Sequence, residues 1–117
     1  MEALCRIRDI FRSINDFEIH FQSKYSIGLN EGMLLCTISK FEKCSSGEIA
    51  EILGLSSSNS SKVIASVEKK GFIKRKIGKD DKRKMYFTLT EKGIECLKFI
   101  KCDSDDVLRI IDKIREI

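Results

Sequence analysis

The stretch from Ser56 to Gly93 constrains this chain more than any other part of it. It opens on a run of serines interrupted by Asn59, then carries Val63, Ile64 and Val67 at the spacing of one helical stripe, and stops at Gly71. Beyond Gly71 the period changes from that of a helix to two. Ile73, Arg75 and Ile77 alternate with Lys74 and Lys76, and Met85, Phe87 and Leu89 alternate with Tyr86 and Thr88. The polar segment Gly78 to Arg83 between them reads as a loop tip, so the two runs form a hairpin with one face on the core and one in solvent. Ser56 caps the helix and Gly71 supplies its left-handed stop.

The residues before this unit are helical. A first helix is expected over 2–22, with Leu4, Ile7, Phe11, Ile14 and Phe21 as its stripe, broadened by Ile10 and Phe17. That face is wider than one core needs, which fits a helix lying on its own core and on a second subunit. Gly28 breaks the pattern, and Asn30 caps a second helix through Phe41, with Met33, Leu34, Ile38 and Phe41 inside. Ser45 and Glu48 have capping-box spacing for a short third helix over 47–53 that ends at Gly54. Only Gly54-Leu55-Ser56 separates it from the next, and two short helices around a tight glycine turn make a helix-turn-helix. After the hairpin, Thr90 caps a fifth helix to about Lys101. Asp103 or Ser104 caps a sixth, with Val107, Ile110, Ile111, Ile114 and Ile117 on one side.

The expected fold is therefore mostly α with a small β-hairpin wing, an α+β winged helix-turn-helix flanked by N- and C-terminal helices. One domain spans 1–117, with 25–93 as the winged part and 1–24 with 94–117 as a helical dimerisation part. No apolar run reaches the roughly 18 residues of a membrane span. The opening Met1-Glu-Ala-Leu-Cys-Arg6 lacks the basic-then-apolar order of a signal peptide, so a cytoplasmic protein is expected. Five cysteines without a C-x-x-C pair, and a single histidine, His20, argue for reduced thiols and against a zinc site.

The net charge of +4 conceals an uneven distribution. Between Lys69 and Lys84 lie nine basic residues and two acidic ones, a segment of +7 that leaves −3 for the rest. A basic block on a slightly acidic body is the footprint of a nucleic-acid binder. On the serine-rich helix, Ser57, Ser58, Asn59, Ser61, Lys62, Ser66 and Lys69 are not spent on the core. Small hydroxyl side chains let a helix backbone lie deep in a major groove and can meet bases or phosphates. Asn59 is the candidate for adenine, and Lys62 suits a guanine edge or a phosphate. The competing reading of the serines is a soluble, well-capped helix start. In the loop tip, Arg83 suits a narrow minor groove, with Asp81 placed to pair with it and fix its direction. Lys79, Lys82 and Lys84 would then meet phosphates.

Asp81-x-Arg83, followed by Leu89-Thr90-x-x-Gly93, resembles the wing signature of the MarR family of bacterial regulators. The stretches Ser46–Leu55 and Leu55–Arg75 resemble that family's helix-turn-helix, recognition helix and first wing strand, and the likeness covers about Leu29 to Gly93. It implies a homodimer built from the first helix and the last two, a pseudo-palindromic double-stranded operator, usually repression, and often release by a small aromatic ligand or an oxidant. The chain departs from the pattern in its short fifth and sixth helices and in Ser60, where the family commonly has an apolar residue.

For a ligand, a cleft between the dimerisation helices and the winged part would be lined by Phe17, His20, Phe21 and Tyr25. The plainer reading of these aromatics is core. The family also has a thiol-sensing branch, for which Cys5, beside Arg6 and Arg8, is the residue in the first helix. The plainer reading of Cys5 is a small apolar residue at a helix end. No phosphate loop, paired carboxylates or nucleophile with a histidine points to an enzyme, a catalytic residue or a cofactor. The rival readings are a winged helix that binds proteins alone, and a DNA binder blind to sequence.

Overall fold

The computed structural model describes residues 2–41, 44–79, 81–100 and 104–117. Along the chain run α1 (Ala3–Tyr25), α2 (Leu29–Lys40), α3 (Ser46–Leu53), α4 (Ser57–Lys69), β1 (Ile73–Ile77), β2 (Met85–Leu89), α5 (Glu91–Ile100) and α6 (Asp105–Glu116). They fall into two compact units, Met1–Leu29 with Lys101–Ile117, and Asn30–Ile100. The fifth helix thus groups with the hairpin rather than with the terminal helices.

In the first unit α1 packs on α6. Helix α1 outruns the expected stop at Gln22 and ends where Ser26 turns left-handed, φ 61°, with its N–H on the Gln22 carbonyl. A serine rather than Gly28 makes this turn, which is why residue type misplaced it. Phe21 is buried, its ring 4.8 Å from Tyr25 and 6.1 Å from Phe17. Leu4, Ile7, Phe11 and Ile14 of α1, and Leu108 and Ile111 of α6, remain exposed. Ser104 takes the N-cap position of α6 but makes no side-chain cap bond, and Asp103 lies outside the described residues.

The second unit is built around Leu34, Leu35, Ile38, Ile49, Ile64, Val67, Ile73 and Phe87, all buried. Helix α2 already includes Leu29, so Asn30 sits inside its first turn instead of capping it. Its inner stripe is Leu34, Leu35 and Ile38. Met33 and Phe41 turn outward, about half exposed, beside Ile52 and Leu53. Ser45 accepts from the Glu48 N–H at 3.2 Å and Ser56 from the Asn59 N–H at 3.1 Å, the two caps read from the sequence. Gly54 and Gly71 adopt φ of 67° and 80°, conformations that side-chain-bearing residues rarely take. Helix α3 packs on α4 through the turn between them.

The hairpin pairs Ile73 with Leu89, Arg75 with Phe87 and Ile77 with Met85 in antiparallel register. Its inner face is buried only at the base, at Ile73 and Phe87; Ile77 is 65% exposed. The expected core-facing stripe fades because the distal half projects past the helices it could pack on. The Phe87 N–H also bonds to the Cys44 carbonyl, a third-strand bridge that no periodicity signalled.

Candidate nucleic-acid interface

Helix α4 presents its polar face at its N-terminal end. Ser57, Ser58, Asn59, Ser61 and Lys62 are all exposed. The first turn of α4, like that of α1, carries no acidic residue, whereas those of α2, α3, α5 and α6 each do. The positive end of the α4 dipole, where the Ser56 hydroxyl caps the Asn59 N–H, therefore meets no carboxylate in the first turn of its own helix, a condition that favours an incoming anion. On the opposite side, Ser60 lies in the buried row with Ile64 and Val67. Among the described residues its hydroxyl has no hydrogen-bond partner, which is the cost of a polar residue where packing calls for an apolar one.

Ser66 stands apart from the other candidates. It is half-buried and donates to Glu31 of α2 at 3.1 Å, next to Lys70, whose ammonium lies 2.8 and 3.0 Å from the same carboxylate. Ser66 thus faces a carboxylate within its own unit. Nothing in the sequence near α4 points to Glu31, thirty-five residues away from Ser66.

The wing is anchored at its base and ordered at its tip. At the base, Arg75 makes a two-pronged pair with Glu68 of α4, 2.8 and 3.1 Å, and stacks over Phe87. The bond to Glu68 raises the guanidinium's already high pKa. Farther along, the Thr90 hydroxyl donates to the Gly71 carbonyl at 2.6 Å and accepts from the Gly93 N–H at 3.1 Å, while the Thr90 N–H reaches the Phe72 carbonyl. Gly93 lies so close to Phe72 that a Cβ there would overlap the Phe72 carbonyl oxygen. The Leu89-Thr90-x-x-Gly93 string is thereby a weld between hairpin and α5.

At the tip, the Asp81 carboxylate accepts from the Arg83 N–H at 3.0 Å and from its Nε at 3.2 Å. These bonds, the backbone one first, hold the Asp81 carboxyl below its usual range. The Arg83 side chain is 92% exposed, so it is aimed without being covered. Lys79, Lys82 and Lys84 are exposed around it. Asp80 lies outside the described residues.

The remaining candidates do not gather into one site. Phe17 and His20 line a shallow groove of about 330 Å³ between α1 and α6, with Asp16, Asp106, Arg109 and Lys113; Phe21 and Tyr25 are not among its lining. Asp106 is held ionised by Lys24 at 3.1 Å and lies 3.9 Å from His20. Near Cys5, the Arg6 guanidinium donates to the Ile117 carbonyl and Arg8 lies 4.0 Å from Asp9, so both cations have other partners. Cys5, Cys36, Cys44 and Cys96 are free thiols, and burial pushes Cys44 and Cys96 up in pKa; Cys102 lies outside the described residues. Among the described residues no cluster of three or more His, Cys, Asp or Glu could hold a metal. Nor, among those residues, is any helix long and apolar enough to cross a membrane.

A tight helix pair, an outward polar helix and a welded basic hairpin define a winged helix-turn-helix. The chain belongs to the MarR family, whose family model matches residues 27–85. It is 28% identical over 93 residues to the HTH-type transcriptional regulator SarZ of Staphylococcus haemolyticus, covering 80% of this chain and 63% of that protein. The chain spans about three fifths of the length of the curated relatives it matches. Its fold matches that of wild-type MarR from E. coli in the apo form, with a TM-score of 0.79 at 16% identity over 97% of this chain and 85% of that one. A mutant MarR from E. coli complexed with operator DNA gives a TM-score of 0.78 at 16% identity, over 97% and 87% of the two chains.

Proposed function

We propose that this protein is a sequence-specific, double-stranded-DNA-binding transcriptional regulator, acting in the cytoplasm as a homodimer on a pseudo-palindromic operator, most simply as a repressor. The observation that carries this reading is the pairing of two exposed features in one unit. One is the acid-free N-terminal face of α4, with Ser57, Ser58, Asn59, Ser61 and Lys62; the other is a wing whose tip arginine is aimed by Asp81. In this reading α4 enters the major groove, Asn59 reads a base, Arg83 enters the adjacent minor groove, and Lys79, Lys82 and Lys84 meet phosphates. The relatives named as HTH-type transcriptional regulators, and the MarR neighbour complexed with operator DNA, support the same role.

The dimer is supported by the exposed apolar row on α1 and α6, since a monomer gains nothing from leaving Leu4 and Phe11 in water. A small ligand that releases DNA would enter the groove beside Phe17 and His20, with Arg109 and Lys113 at its edge.

The test is binding of the protein to DNA from its own upstream region and to scrambled DNA of equal length, across a salt series. A preference of about a thousandfold with a steep salt slope is expected of a specific regulator. Equal, salt-sensitive affinity for both would reduce the protein to a general DNA binder. No binding at low salt would leave the winged helix as a protein-interaction module.

A further inference from the structure

Helix α4 is gripped near its C-terminal end by a group that a DNA-facing surface does not require. Glu31, in the first turn of α2, has a side chain only 14% exposed. One of its carboxylate oxygens accepts from the Ser66 hydroxyl, 3.1 Å, and from the Lys70 ammonium, 2.8 Å; the other accepts from Lys70 at 3.0 Å. Lys70 is the C-cap residue of α4, and its own carbonyl accepts from Lys92 of α5 at 2.9 Å. The carboxylate stands at the favourable end of the α2 dipole and the ammonium at the favourable end of the α4 dipole, so both helices stabilise the pair.

We infer that Glu31 is a positioning residue, which fixes the angle and rotation at which α4 is presented to DNA by holding Ser66 and Lys70 together. This rests on the DNA-binding role proposed above. A nearly covered carboxylate that accepts from both Ser66 and Lys70 tolerates little displacement, because any shift of α4 stretches these bonds in a poorly solvated place. The same geometry removes Ser66 and Lys70 from the residues that touch DNA. Base reading therefore falls to the first two turns of the helix.

The charge gives the inference a test with opposite signs. Glu31→Gln keeps the shape but removes a negative charge near a basic surface, so electrostatics alone predicts tighter binding to every DNA. Positioning predicts instead that the preference for a specific site drops. The protein would first be used to select its preferred duplex from random DNA. Affinity for that duplex and for a scrambled one would then be measured for wild type, Glu31→Gln, Ser66→Ala, and the charge swap Glu31→Lys with Lys70→Glu.

The expected result is a fall in the specific-to-scrambled ratio of about fivefold or more in Glu31→Gln, the equivalent of one misplaced base contact. Ser66→Ala should fall less, and the swap should regain part of the ratio. Amide exchange in the free protein should quicken selectively in the last turn of α4 of Glu31→Gln. A preference retained in full by Glu31→Gln would overturn the inference while leaving the DNA-binding role standing. A wild type that selects no sequence would overturn that role and this inference with it.

Discussion

Asp81 spends one carboxylate oxygen on two donors of a single residue, the Arg83 backbone N–H at 3.0 Å and the Arg83 Nε at 3.2 Å. The bond to the backbone shapes the turn and the bond to the side chain aims it. Because the folded-state pKa of Asp81 is lowered, the pairing is fully present above the ordinary value of 3.8 and fades as pH falls through the lower folded value. The wing tip is therefore expected to keep its order to below pH 3.8, and to lose it only as pH falls through the lowered value. A carboxylate-carbon NMR titration of Asp81 should show its midpoint below 3.8 in the wild type, and a rise toward 3.8 in Arg83→Ala. An unchanged midpoint in the variant would mean that the side-chain bond contributes little in solution.

Replacing individual residues of the interface should separate two kinds of contact. Asn59→Ala and Arg83→Ala are expected to cost roughly 1–3 kcal/mol on the preferred sequence and little on scrambled DNA. Lys79→Ala should weaken both alike and reduce the salt slope by about one. Isothermal binding curves at several salt concentrations distinguish the patterns. Loss of specificity from Lys79→Ala instead would place that side chain in a groove.

Much of this candidate interface was legible because its signals are local. The caps at Ser45 and Ser56, the stop at Gly54 and the Asp81–Arg83 pair all join residues within a few positions of each other, and residue type alone suggests the bond. The signals that were missed are long-range or atypical. Ser66 looks like one more exposed serine until Glu31 is brought against it across two helices. The end of α1 falls on a left-handed Ser26, a conformation usually left to glycine. The hairpin alternates in sequence to its tip, yet burial stops at its base, because alternation reports which face a residue is on and not whether anything covers that face.

Two glycines should respond in opposite ways to alanine. At Gly93 the new methyl would run into the Phe72 carbonyl, a backbone atom held by the Thr90 N–H and unable to swing away. Gly93→Ala is expected to destabilise by about 3 kcal/mol or more, as severe overpacking against backbone does. Gly47, in the exposed first turn of α3, would place its methyl in open space. Gly47→Ala should stabilise by about 0.5–1 kcal/mol. Urea unfolding of both variants checks the contrast, and equal effects would mean that the hairpin–α5 weld is looser than the geometry implies.

Ser60 offers a gain in stability at no cost in exposed chemistry. Its side chain is covered, its hydroxyl has no partner among the described residues, and it stands in a helix where alanine has the better propensity. Ser60→Ala is expected to raise stability by about 1 kcal/mol, the desolvation of an unpaired hydroxyl being recovered. Affinity for DNA should be unchanged, since Ser60 faces away from the polar side of α4. Denaturant unfolding with binding on the same preparation tests both halves. A destabilised variant would show that the hydroxyl has a partner in solution.

The exposed row on α1 tests whether the protein works in pairs. Leu4 is 76% exposed and Phe11 70%, and Leu108 and Ile111 of α6 add to the apolar surface of the same unit. If a second copy covers this row, Phe11→Lys places a charge in the interface twice, once per subunit, each costing about 2 kcal/mol or more. Sedimentation should then find a monomer at concentrations where the wild type is dimeric. Operator affinity should fall by more than any single base contact explains, because two linked half-site contacts become two independent ones. The isolated lysine touches no DNA in this reading, so its effect on binding can only come through association. A variant that stays dimeric and binds as before would place the subunit interface elsewhere.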